Sequence, residues 1–126
     1  MNDAAMQALG SYTGEGRMLF LELGTGLGSA IVDDWEVAPM ELAHLPYKQG
    51  KTFEDYVGVQ GMERLGKRKW RKSVLDVIER LAVGLQVEYV VVGGGNAKRL
   101  HRLPKGVRLG DNTNAFVGGF RMWKER

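Results

Sequence analysis

The sequence has no cysteine, three prolines and two histidines among its 126 residues. Without cysteine there is no disulfide framework and no thiolate metal site, which fits the reducing interior of a cell. No apolar run approaches the ~18 residues of a transmembrane helix. The first ten residues carry neither a basic n-region nor a long apolar stretch, so they do not read as a secretory signal. These absences point to a cytoplasmic protein with no membrane partner.

What is present suits one α/β domain. The length matches a single domain of ordinary size, and a 44% hydrophobic content supports a packed core rather than disorder. No internal repeat or low-complexity segment interrupts it. The net charge of +3 is local in origin, because Lys67, Arg68, Lys69, Arg71 and Lys72 surround Trp70. The favoured reading of that cluster is the solvated start of an amphipathic helix. A nucleic-acid patch and attraction for a polyanionic substrate are the alternatives, and charge alone does not separate them.

The pattern along the chain gives an order of elements. Asp3–Leu9 reads as a short helix ended by the glycines of GSYTGEG. Arg17–Leu23 and Ser29–Val32 read as strands on either side of a glycine run, and DDW marks a turn. From Trp35 to Leu45 the chain looks extended, with Pro39 and Pro46 as interruptions, and KQGK is a loop. Thr52 is placed to cap a helix with Glu54 and Asp55 in its first turn, ending at Gly58. Trp70, Val74, Val77, Ile78, Leu81, Ala82 and Leu85 recur at spacings of three and four, which predicts a helix over Lys67–Leu85. VEYVVV reads as a strand buried on both faces. NAKRLHRL reads as a short helix, LPKGVRLGD holds one more extended piece, and Asn112 or Thr113 starts a closing helix.

Two glycine runs carry the functional question. Gly24-Thr25-Gly26-Leu27-Gly28 has the spacing G-x-G-x-G and leads into a strand, so it fits neither the dinucleotide fingerprint nor a P-loop. Two readings of it stay open. The run is a nest whose backbone N–H groups bind an anion, with Thr25 adding a hydroxyl, or it is a hairpin turn that needs positive φ angles. Gly93-Gly94-Gly95-Asn96 stands where a buried strand hands over to a helix, which is where ligand sites open in α/β folds. One glycine would suffice for a tight turn; three favour a ligand. Glu41 and His44 flank two apolar residues in MELAHL and could hold hydroxyls or a metal. No further cluster completes a metal shell, so no metal site is expected. Asp3 next to Asn2 reads, by itself, as an ordinary helix cap, and His101 as an exposed residue.

Taken in order, NDA, GTGLGSAI, ELAHL, FEDYVG and VVVGGGN resemble the C-terminal half of sugar kinases of the ROK family (repressor, open reading frame, kinase). The likeness is nearest to the bacterial branch that includes polyphosphate-dependent glucokinases, and NTNAFVGGFRMW resembles the closing helix of that branch. The resemblance implies one lobe of a ribonuclease-H-like fold of the actin and hexokinase type, a mixed sheet flanked by helices. By position, Asp3 matches the catalytic base and Asn2 a ligand of a neighbouring sugar hydroxyl. Glu41 and His44 match the sugar ligands of an E-x-G-H motif. Gly24, Thr25, Gly26 and Gly28 match a phosphate loop, and Gly93, Gly94 and Gly95 lie where nucleotide or polyphosphate would sit.

Three departures qualify this. Ala43 replaces the glycine of E-x-G-H, the family's cysteine-rich zinc motif is missing, and no Asp-x-Gly-Gly-Thr phosphate loop occurs in the 126 residues. That loop belongs to the family's N-terminal lobe, and residues 1–126 read as a single C-terminal-lobe-like domain without it. The expectation is a truncated or split glucokinase lobe, inactive alone. The alternative is a non-catalytic ligand-binding or self-association protein. No tightly bound cofactor is expected; ATP or polyphosphate with magnesium would serve an assembled site. A homodimer is expected, with Trp35, Phe116, Phe120 and Trp123 as candidate anchors, and a separate N-terminal-lobe partner is possible. Nucleic acid is not expected, because no helix-turn-helix precedes the lobe.

Overall fold

Strand β1 (Arg17–Leu23) carries apolar side chains on both faces, and this sets the layering. In the computed structural model, which describes residues 3–110 and places Asp3 by its backbone alone, β1 is the middle strand of five. Its neighbours are β2 (Leu27–Asp33), antiparallel, and β6 (Tyr89–Gly93), parallel. Outside these lie β3 (Glu36–Met40), antiparallel to β2, and β7 (Val107–Leu109), parallel to β6, so the order is β3-β2-β1-β6-β7. This is the mixed sheet expected from the sequence.

Side chains alternate across the sheet and build two cores. Met18 and Phe20, with Ala30, Val32 and Val91, pack against α1 (Asp3–Ser11), which meets them through Ala4, Ala5, Ala8 and Leu9. The small residues on α1 let the helix axis approach the sheet closely. Leu19, Leu21 and Leu23, with Val90 and Val92, face α4 (Lys67–Leu85) and its stripe of Trp70, Val74, Val77, Ile78 and Leu81. Trp70 is fully buried, and its indole N–H donates to the Val57 carbonyl at 2.9 Å, so the large ring enters the core without an unpaired donor.

Between β3 and α4 the chain makes a small hairpin, β4 (Pro46–Lys48) and β5 (Lys51–Thr52), then α2 (Phe53–Val57) and α3 (Val59–Leu65). Thr52 caps α2 as expected, in a capping box: its hydroxyl accepts from the Asp55 N–H and the Asp55 carboxylate accepts from the Thr52 N–H. The DDW turn is also found. Asp34 and Trp35 both have positive φ, the geometry of a two-residue hairpin loop, and the Trp35 ring packs edge-on against Tyr12 at 4.9 Å. Pro39 is tolerated because β3 is an edge strand.

Three expectations differ from the structure. The extended stretch ends at Met40, and residues 41–45 form a turn whose Ala43 and Leu45 carbonyls accept from the Glu54 and Phe53 N–H groups. After Gly58 the chain restarts as α3, which the sequence reading left out. NAKRLHRL gives one 3-10 turn, Ala97–Arg99, because Leu100 drops into the core and Arg71 Nε binds the Arg99 carbonyl at 2.7 Å. Asn2, the side chain of Asp3, the closing helix and the anchors Phe116, Phe120 and Trp123 lie outside the described residues.

The hairpin is tied to α4 by a polar cluster. Tyr47 donates to Asp76, which also accepts from Arg80 Nε at 2.9 Å. Burial, then the bond to Asp76, pushes the Tyr47 hydroxyl up to about 12, and the same bond holds the Asp76 carboxyl below its usual range. The raised Tyr47 contributes stability that is complete below the unfolded tyrosine value, near ~10, and is lost as pH rises towards about 12. The depressed Asp76 contributes stability that is lost as pH falls below roughly 4. Tyr47→Phe is therefore expected to lower stability at neutral pH by about 1 kcal/mol and to flatten the melting-temperature decline between pH ~10 and ~12. Identical alkaline melting profiles for the two proteins would contradict this assignment.

Candidate functional site

The carboxyl ends of the parallel strands β1 and β6 lie side by side, and both glycine runs leave from there. Gly24, Thr25 and Gly26 form a three-residue loop closing the β1–β2 hairpin, and Gly28 already lies within β2. The hairpin is real, yet its glycines are not needed for positive φ, since none of the three in this run has it. Gly26 and Gly28 are needed for space, whereas Gly24 faces open space. A Cβ on Gly26 would meet the Glu54 carboxylate, and one on Gly28 would press on Glu22 and Ala4.

Glu54 stands in the first turn of α2, where its charge suits the helix dipole. It does more than that. Its carboxylate accepts from the Leu27 N–H at 2.9 Å, while its own N–H binds the Ala43 carbonyl at 3.0 Å. One residue thus joins the glycine loop to the turn holding Glu41 and His44. The Thr25 carbonyl accepts from the Val59 N–H at 3.1 Å, and Gly58, lacking a side chain, lets the α2–α3 junction come this close. The backbone N–H groups of Thr25 and Gly26 have no partner among the described residues, and Thr25 is exposed. These two amides and the Thr25 hydroxyl are what the loop offers an anion, next to a carboxylate that already occupies the Leu27 amide.

The second run is laced to the first. The Asn96 N–H binds the Leu23 carbonyl at 3.0 Å, and Asn96 Nδ2 reaches the Gly24 carbonyl at 3.4 Å. Gly94 has φ +91 and crosses directly over the backbone of Leu23, so only glycine fits. Gly93 is pressed by the Phe20 ring and Gln7. Of the three, Gly95 alone faces open space. Packing accounts for two of the three glycines that the sequence had suggested were cleared for a ligand.

The remaining candidates sit around this double loop. The first turn of α1, which Asp3 opens, comes against Gly28 through Ala4. Glu41 and His44 are both exposed on the turn that Glu54 holds. His101 is exposed as expected. Two acids escaped the sequence reading as site residues. Glu22, paired in register with Gly28 on one side and Gly93 on the other, is half-buried and accepts from Gln7 Nε2 at 2.6 Å. Its signal was a carboxylate in an otherwise apolar strand. Glu54 gave only the signal of a helix start. Among the described residues no group of three or more His, Cys, Asp or Glu side chains could hold a metal ion.

No protein-family profile matches the sequence, and no curated protein matches it. Solved structures do. The inorganic polyphosphate/ATP-glucomannokinase of Arthrobacter sp. strain KM superposes with a TM-score of 0.83 at 25% identity, over 100% of this chain and 56% of that one. A ROK family glucokinase from Streptomyces griseus, determined with glucose and AMPPNP, gives 0.75 at 15% identity over 99% of this chain and 67% of that one. The ROK hexokinase from Thermus thermophilus gives 0.71 at 18% identity, with coverages of 100% and 66%. The resemblance read from the motifs therefore holds at the level of fold, and the chain spans 56–67% of the length of these three kinases.

If the loop is an anion cradle, inorganic phosphate shifts the amide resonances of Thr25 and Gly26. Gly26→Val abolishes those shifts by filling the loop and displacing Glu54. Glu54→Gln keeps an acceptor for Leu27 but removes a nearby charge, and is expected to tighten binding by about tenfold. Amides that stay still in a phosphate titration would leave the run as a hairpin turn only.

Proposed function

We propose that this chain supplies one side of a sugar-phosphorylating site of the ROK type. The observation carrying this reading is that three segments meet the Gly24–Gly28 loop, the first turn of α1, the Gly93–Asn96 run and the first turn of α2, and that α2 in turn holds the Glu41–His44 turn. In this reading Glu41, His44 and Asn2 hold sugar hydroxyls. Asp3 takes the proton from the attacking hydroxyl as the terminal phosphoryl group transfers. The amides of Thr25 and Gly26 steady the donor's phosphates, ATP or polyphosphate, and Gly95 leaves room beside them. Magnesium carried by the donor would neutralise phosphate charge and needs few protein ligands; Glu22 and Glu54 are the half-buried carboxylates beside the loop glycines that could serve it.

Phosphoryl transfer rests on positioning and electrostatics applied from both sides of the phosphate. The 126 residues contain no Asp-x-Gly-Gly-Thr loop, so the isolated polypeptide is expected to show no turnover of glucose with ATP or polyphosphate in a coupled assay. Adding a lobe that carries such a loop is expected to give activity, and Asp3→Asn to remove it by at least about 100-fold. Turnover by the isolated chain that vanishes in Asp3→Ala would overturn the inactive-alone reading. Activity with the added lobe that is indifferent to both Asp3 and His44 would overturn the sugar-kinase reading itself.

The second reading, self-association, is favoured by one observation. Leu45, next to His44 at the same site, is 41% exposed, an apolar side chain on a face that the kinase reading assigns to a covering lobe. A homodimer using this face is expected to dissociate on dilution in sedimentation velocity, and Leu45→Glu to shift it to monomer. A monomer at every concentration would sink this alternative.

A further inference from the structure

Two kinds of contact join α1 to the sheet, and they fix different things. Ala4, Ala5, Ala8 and Leu9 meet the strands through apolar surface. Such contact is non-directional. It holds the helix against the sheet without fixing its place along the strands. Gln7 supplies a directional bond, its Nε2 donating to Glu22 Oε2 at 2.6 Å. We propose that Gln7 and Glu22 are a positioning pair, which sets where the first turn of α1, and with it Asp3, stands beside the glycine loop. The inference deepens the sugar-phosphorylating reading and rests on it for the role of Asp3; the pair itself rests on geometry.

Glu22 falls on the same face of β1 as Met18 and Phe20, the face that α1 covers. A half-buried carboxylate there needs a hydrogen-bond donor. Its neighbours in register, Gly28 on β2 and Gly93 on β6, have no side chains, so none comes from beside it in the sheet. Gln7 reaches it from above instead. The same glycines make the room. A Cβ on Gly28 would stand 3.3 Å from the Ala4 Cβ, and one on Gly93 would stand 3.1 Å from Gln7 Oε1. The Gln7 carboxamide is thus held with its nitrogen on Glu22 and its oxygen over Gly93. Because Gln7 takes Oε2, Glu22 Oε1 is left on the Gly28 side, 3.2 Å from where that Cβ would be.

The place of the bond is what makes it a positioning device. Asp3 opens α1 four residues before Gln7, about one turn of helix. A slide or tilt of the helix at Gln7 is carried to Asp3 with one turn of backbone between them. A clasp that merely stabilised the fold could sit anywhere along α1. This one lies at the end of the sheet from which both glycine runs leave, while the far end of α1 has its own tie, the Ser11 carbonyl accepting from Arg108. Placement at this end matters because a shift of about 1 Å in a reacting group can cost roughly 100-fold in rate.

The first test is amide hydrogen exchange on the 126-residue chain, which needs no activity. The amides at positions 7 and 8, which bond back to the turn that Asp3 opens, are read against those of Phe20 and Val91 in the sheet. Gln7→Ala is expected to speed exchange at positions 7 and 8 by at least about tenfold and to leave the sheet amides unchanged, although alanine is the better helix former. Gln7→Glu sets two carboxylates against each other and is expected to do the same. The exchanged pair Gln7→Glu/Glu22→Gln restores one donor and one acceptor and is expected to recover protection. Unchanged exchange in Gln7→Ala, or an exchanged pair that recovers nothing, would overturn the proposal whatever the enzyme assay gives. The second test is kinetic, in the assembly with an added lobe. Gln7→Ala is expected to lower kcat by about tenfold or more while the KM for glucose stays within about twofold, since Glu41 and His44 sit on another turn. Faster exchange with kcat unchanged, in an assembly that Asp3→Asn silences, would overturn the positioning role and leave the sugar reading standing. An active assembly indifferent to Asp3 would overturn the sugar reading and the role of the pair in it, and is told apart because the exchange result does not depend on activity.

Discussion

The molecule depends on β1 being held from both edges and both faces at once. On one edge it pairs antiparallel with β2 and on the other parallel with β6, and its alternate side chains root the two cores. Each fully buried Leu or Phe contributes roughly 1.5–3 kcal/mol relative to exposure, so Leu19, Phe20, Leu21 and Leu23 fix the strand's register firmly. A slip of one residue would send Met18 and Phe20 to the wrong layer. Everything at the functional end inherits that register. The loop after Leu23, the crossing of Gly94 over it and the placement of Glu22 between Gly28 and Gly93 all follow from where β1 stops.

Charge at the loop is arranged with an internal occupant. Glu54 already satisfies the Leu27 amide, and Glu22 is bonded to Gln7. Under the proposed reading, a phosphate at Thr25 and Gly26 would meet amide donors and a fixed carboxylate together, and would bind weakly unless a cation accompanied it.

Much of the scaffold could be read from sequence because its causes are local. The three-and-four spacing from Trp70 to Leu81 gave α4, the β-branched run gave β6, and Thr52 with Asp55 gave the start of α2. What could not be read depends on distant partners. The turn at residues 41–45 exists because Ala43 and Leu45 receive N–H groups from α2, and the NAKRL helix is cut short by Leu100 and Arg71. The candidate site was legible as a set of motifs but not as a geometry. The triple glycine looked like space cleared for a ligand, whereas Phe20 and the Leu23 backbone claim two of its positions. Glu54 was hidden because an acid in a first helical turn already has an ordinary explanation.

The lacing of Asn96 to Leu23 and Gly24 has a dynamic consequence. A hairpin loop and a strand-to-helix loop usually fluctuate independently, each on its own timescale. Here the backbone and side chain of one asparagine grip successive carbonyls of the other loop, and Gly94 rests on the same peptide units. Neither loop opens without breaking bonds to the other, so they form a single kinetic unit. A displacement of one loop is then carried to the other through shared backbone bonds rather than through a chain of relayed side chains.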